Sequence, residues 1–89
     1  MNKPEITVLY FAAASTATGL TEELITLPLS RYPLSSLGGL LVSLHPDVGL
    51  DNILQSSQWS VDAEMVGNVE EVTLKGGEEI AIICPVSGG

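Results

Sequence analysis

Basic residues are scarce in this chain. Lys3, Arg31 and Lys75 stand against eleven acidic side chains, for a formal charge of −8 over 89 residues. Nucleic-acid binding needs clustered Lys and Arg to neutralise phosphates, and three scattered cations do not supply them. The acid excess favours a partner with a basic face, chiefly by speeding encounter, and serves equally to keep a small protein soluble. Cysteine is nearly absent too. Cys84 alone excludes an intrachain disulfide and the closed cysteine-rich zinc motifs, and it suits a reducing compartment such as the cytosol. With His45 as the one histidine, neither a His-based metal cluster nor a Ser-His-Asp triad can be assembled, so no metal site is expected. The uncharged stretch from Tyr32 to Pro46 is too short to span a bilayer and is broken by proline, serine and glycine.

What is present fits one domain. A chain of this size buries only roughly 60–65% of its unfolded surface, which gives a modest core and no deep enclosed pocket. The apolar share of 45% is ordinary for a globular protein and argues against wholesale disorder. Near the N-terminus, Lys3 precedes an apolar run from Ile6 to Ala14 in which Ala12-Ala13-Ala14 resembles a cleavage site. Two readings stand. Pro4 and Glu5 occupy the place where a secretory signal needs positive charge, and Thr7, Tyr10 and the β-branched residues suit a strand. A mature protein beginning after Ala14 would decide for the signal.

Periodicity then places the elements. Glu5 to Phe11 reads as a strand, apolar enough to be buried on both faces. Ala12 to Thr18 reads as a short helical segment that Gly19 ends in the left-handed conformation. Thr21 to Leu27 reads as a second strand, stopped by Pro28. Leu37, Leu40, Leu41 and Leu44 fall at i, i+3, i+4 and i+7, which sets four leucines on one face of a central helix. Pro33 or Ser35 starts that helix and His45-Pro46 ends it. Gly38 and Gly39 weaken it by up to about 1 kcal/mol each relative to alanine, so it must be held by packing on a sheet, and a close helix–sheet approach at the glycines is expected. Asp47 to Ser57 reads as loop and Trp59 to Val66 as a third strand. Val69 to Leu74 is short and mixed, and Lys75 to Glu78 is a turn. Glu79 to Cys84, nearly all apolar, reads as a central last strand. The expected class is α+β, a ubiquitin-like β-grasp with a mixed sheet and one main helix across one face. It is expected over residues 1–83, with a flexible tail over 84–89.

Side chains offer little chemistry. His45 reads as a helix terminator. Cys84, among apolar neighbours and with no base suggested nearby, reads as an inert, packed thiol. Glu70-Glu71 and Glu78-Glu79 point to opposite faces of any strand and read as a solvated rim. The end of the chain remains: Cys84-Pro-Val-Ser-Gly-Gly89. Two glycines without Cβ atoms make the thinnest peptide, one that can thread a narrow channel. A terminal carboxylate, with a reference pKa of about 3.5, is an anion at neutral pH and resists nucleophiles. It needs activation, such as a mixed anhydride with AMP, after which a sulfur nucleophile can leave a thiocarboxylate. The competing reading is a frayed terminus.

The last sixteen residues, Leu74 to Gly89, resemble the small, sulfur-carrying subunit of molybdopterin synthase, a ubiquitin-related family. The matching positions are Gly77, Glu78, Glu79, Ile80, Ala81, Pro85, Val86, Ser87, Gly88 and Gly89, and Cys84 stands where that family usually has a first proline. Weaker likeness runs through Val8 to Ala12, Thr18-Gly19 and the Leu37–His45 helix. The resemblance implies that Gly89, preceded by Gly88, is adenylated at the expense of ATP by an activating enzyme of the ubiquitin-activating type and then sulfurated. It implies that the tail inserts into the large synthase subunit, in an assembly of two small and two large chains. There it would give sulfur to cyclic pyranopterin monophosphate for molybdenum cofactor biosynthesis. On that reading the chain holds no cofactor of its own and is a donor rather than an enzyme. Phe11, Ile82, Pro85, Val86 and Ser87 are the expected docking residues. Another sulfur carrier (for thiamine or transfer-RNA thiolation), a ubiquitin-like protein modifier and a plain interaction domain stand as alternatives.

Overall fold

Strands form where β-branched and aromatic residues concentrate, and they assemble around the last of them. The computed structural model describes residues 4–84. Its elements in chain order are β1 (Glu5–Tyr10), α1 (Ala12–Thr18), β2 (Glu22–Thr26), β3 (Tyr32–Pro33), α2 (Leu34–Leu44), α3 (Leu50–Ser56), β4 (Gln58–Val61), β5 (Glu64–Met65), a single 3-10 turn (Val69–Glu71), β6 (Thr73–Leu74) and β7 (Glu79–Ile83). Five strands make one mixed sheet in the order β2-β1-β7-β4-β5, while β3 and β6 form a separate two-stranded ladder. β7 is central: it runs parallel to β1, with Val8 opposite Ile80 and Tyr10 opposite Ile82, and antiparallel to β4, with Trp59 opposite Ile82. This is the expected β-grasp arrangement.

The sheet has one buried face and one open face. Ile6, Val8 and Tyr10 of β1, Ile25 of β2, and Ile80 and Ile82 of β7 share one core with Leu34, Leu37 and Leu41 of α2. Each such fully buried side chain contributes roughly 1.5–3 kcal/mol relative to exposure. The buried stripe of α2 is not the expected one. Leu37 and Leu41 are buried, Leu40 is half-buried, and Leu44 is 48% exposed. The helix starts at Leu34, so the stripe runs 34-37-41 and slides one turn towards the N-terminus. Nor is β1 buried on both faces, for Thr7 and Leu9 on the open side are only half-buried.

Two further expectations change. Residues 50–56, read as loop, are helical, and α3 packs against both α1 and α2. The run 59–66, read as one strand, is a hairpin. Asp62 and Ala63 turn at φ 51° and 71°, the mirror-image turn geometry that matches strand twist. Gly19 does end α1 at φ 75°, its N–H donating to the Ser15 carbonyl at 2.8 Å. Gly76 has a different reason to be glycine: φ is 122°, and a Cβ there would lie 2.9 Å from the Pro4 Cβ. Glu78 is more than solvated rim, since its carboxylate accepts the Lys75 and Gly76 N–H groups at 2.8 and 2.7 Å and clasps the turn into β7.

Candidate functional site

The chain leaves the centre of the sheet at Cys84. β7 ends at Ile83, and Cys84 follows beside the start of α1. The Cys84 thiol donates to the Phe11 carbonyl at 3.3 Å, an oxygen that also accepts the Ala14 N–H at 3.0 Å. Cys84 is half-buried against the core, consistent with a packed thiol. Pro85, Val86, Ser87, Gly88 and Gly89, named as docking and reacting residues, lie outside the described residues, as does most of the expected tail.

Alternation decides which side chains surround that exit. Tyr10 and Ile82 are cross-strand partners facing the core, so the residue after each, Phe11 (past β1 but still extended) and Ile83, turns to the open face. Phe11 is 48% exposed and Ile83 37%. Ile82, expected in a surface patch, is fully buried and cannot belong to one. Ile83, one residue on, faces the opposite side of the sheet. Leu24 of β2 and Met65 of β5 are exposed on the same open face. Glu5, Glu22 and Glu79 stand there too, exposed, so the apolar strip has acidic borders.

On the other side of the sheet, three polar groups converge that sequence reasoning had left apart. Tyr10 donates its hydroxyl to Glu23 Oε1 at 2.7 Å, and His45 Nε2 lies 2.8 Å from the same oxygen. The Tyr10 and His45 rings meet edge-on with centroids 6.0 Å apart. Burial first, then the hydrogen bond to Glu23 and its charge, push the Tyr10 phenol far above its ordinary range. His45 thus ends α2 with its backbone, donating to the Leu41 carbonyl at 3.0 Å, and ties that end to β1 and β2 with its ring. The cluster is a brace between layers. A signal for it existed in sequence only as three polar residues in apolar surroundings.

Among the described residues, no group of three or more His, Cys, Asp or Glu side chains could hold a metal ion. No described helix is long and apolar enough to cross a membrane.

No protein-family model matches the chain. Individual proteins do. The chain is 43% identical over 88 residues to a molybdopterin synthase sulfur carrier subunit of Mycosarcoma maydis, covering 97% of this chain and 95% of that protein. It belongs to the molybdopterin synthase sulfur carrier subunit family. Membership extends beyond fungi: the human protein of that name is 34% identical over 86 residues, with 96% of this chain and 94% of that one covered. Solved structures show the same fold. The small archaeal modifier protein SAMP1 of Haloferax volcanii superposes with a TM-score of 0.78 at 20% identity, over 96% of this chain and 99% of that one. A complex of subunits 1 and 2 of the molybdopterin-converting factor of Helicobacter pylori contains a chain matching at 0.67 and 21%, over 96% and 99%.

Proposed function

We propose that this chain is the sulfur-donating, non-catalytic subunit of a cytosolic molybdopterin synthase, with the Gly89 carboxylate as its working group on a tail of residues 84–89. The observation that supports this most is the identity to a carrier subunit over nearly the full length of both chains. A carboxylate oxygen of Gly89 attacks the α-phosphorus of ATP on an activating enzyme, pyrophosphate leaves, and the glycyl adenylate forms. A sulfide-equivalent nucleophile then displaces AMP and leaves the thiocarboxylate. In the large subunit, sulfur passes to cyclic pyranopterin monophosphate and water restores the carboxylate. Gly88 and Gly89, lacking Cβ atoms, let the terminus pass through a narrow channel.

Docking belongs to the open face. Phe11 and Ile83 stand beside Cys84 and the acidic borders suit a basic partner, while Pro85, Val86 and Ser87 are assigned to docking from the sequence alone. The large subunit and the activating enzyme would use this face in turn, two carriers flanking a dimer of large subunits.

The test is intact mass after incubation with ATP, a sulfur source and the activating enzyme. The expected product is heavier by one oxygen-to-sulfur exchange, and deletion of Gly89 removes it. Absence of a thiocarboxylate under conditions that load an authentic carrier would refute the proposal. Isopeptide-linked conjugates in its place would point to protein modification instead.

A further inference from the structure

A groove of about 440 Å³ runs between α2 and α3, on the helical side of the sheet. Leu34, Gly38 and Val42 line it from α2 at i, i+4 and i+8, with Ser35 and Gly39 in the row beside them. Leu54 of α3 and Trp59 of β4 make the opposite wall. The glycines are the unusual part. Neither has a positive φ, and a Cβ on Gly38 would make only ordinary contacts of 3.7 Å with Leu54 and Trp59. A Cβ on Gly39 would meet nothing within 4 Å. Two helix-weakening residues thus stand where neither backbone conformation nor internal packing asks for them. Their effect is a bare helix backbone beside a tryptophan.

Shape and charge select the occupant. Gly39, Asp51 and Gln55 are all exposed along one side, so the groove is a trough that does not enclose a ligand as small-molecule pockets do. A polypeptide segment running past both ends loses nothing by that openness. Asp51 is the charged residue of the lining, and neither Arg31 nor Lys75 lines the groove. On a chain of charge −8, an acidic segment is repelled and a basic one drawn in. We propose that this groove docks a partner polypeptide that lays an aliphatic side chain over Gly38 and Gly39 and sets a Lys or Arg against Asp51. The groove and the Phe11–Ile83 strip lie on opposite sides of the sheet, so an occupant here leaves the tail's exit free. The proposal does not depend on sulfur chemistry at Gly89.

Trp59 is the one tryptophan of the chain and reports on its own groove. The full chain is titrated with acetyl-Arg-Leu-Leu-Arg-amide and with acetyl-Glu-Leu-Leu-Glu-amide, reading Trp59 emission and the amide signals of Gly38 and Gly39. The basic peptide is expected to give a saturable response at both probes and the acidic one none. Asp51→Asn weakens the basic peptide about two- to fivefold, the range for an exposed ion pair. Gly39→Leu, whose Cβ meets nothing within 4 Å and whose side chain occupies the trough, weakens it at least about tenfold while raising the melting temperature. Equal binding of both peptides, no saturable response up to millimolar peptide, or unchanged affinity in Gly39→Leu would each overturn the proposal. So would saturation by an uncharged small apolar probe, cyclohexanol, that neither peptide matches.

Discussion

Replacing Glu23 with leucine tests the brace between layers. Its Oε1 accepts from Tyr10 and pairs with His45, and Tyr10 is 1% exposed. Glu23→Leu therefore strands a buried phenol donor, at about 1–3 kcal/mol. The imidazole bond adds less, because the His45 side chain is 16% exposed and finds water. The expected loss is about 2–3 kcal/mol, and at about 4–8 °C per kcal/mol the melting temperature falls by roughly 10–20 °C. Tyr10→Phe removes the donor while Glu23, 25% exposed, turns to solvent, for about 0.5–1.5 kcal/mol. In the double variant no donor is orphaned, so the combined loss falls short of the sum by about 1 kcal/mol. Urea unfolding of the four proteins measures this coupling. A second reading comes from pH. The folded-state phenol is raised above its unfolded value of about 10, so the native state holds its proton longer. Stability is full below about pH 10 and falls as pH rises beyond it, by up to about 1.4 kcal/mol per unit. Tyr10→Phe abolishes that slope. Additive losses with an unchanged alkaline slope would refute the brace.

Two further outcomes follow from strand geometry. Ile82→Asp buries a carboxylate in the core and is expected to unfold the domain, by loss of the cooperative melting transition. Ile83→Asp, one residue on, leaves melting within about 0.5 kcal/mol of wild type and weakens binding to the large synthase subunit at least about tenfold by calorimetry. Ala63→Gly relieves a left-handed alanine in the β4–β5 turn and gives the Asp-Gly pair that turn prefers. After the added unfolded-chain entropy, a gain of about 0.5–1 kcal/mol is expected in thermal unfolding, and a loss would show that the turn is not strained.

Elements with a strong repeat were legible in the sequence, and those made by their neighbours were not. β1, β2, α2 and β7 have runs of β-branched residues or spaced leucines long enough to declare a period, and Gly19 marked a helix end by chemistry alone. α3 has seven residues, no side-chain cap and one buried residue, Leu50, so its helicity comes from packing against α1 and α2. The β4–β5 turn was hidden because Asp62-Ala63 lacks glycine, and the β3–β6 ladder is two residues long. For the candidate site, the exposure of Phe11 was legible, since it follows an alternating strand. The choice between Ile82 and Ile83 was not, because five consecutive residues from Ile80 to Cys84 are apolar and give no phase.

The position of β7 also decides how the molecule bears force. A partner that grips the residues after Cys84 and draws them in pulls along β7, which is bonded on one side from Thr7–Glu79 to Tyr10–Ile82 and on the other from Gln58–Ile83 to Val61–Ile80. A pull along the strand loads both ladders in shear, so their bonds must yield together rather than peel one at a time. An edge strand would unzip under the same tension. The centre of the sheet is thus a mechanical anchor, able to hold under a tension that would strip an edge strand.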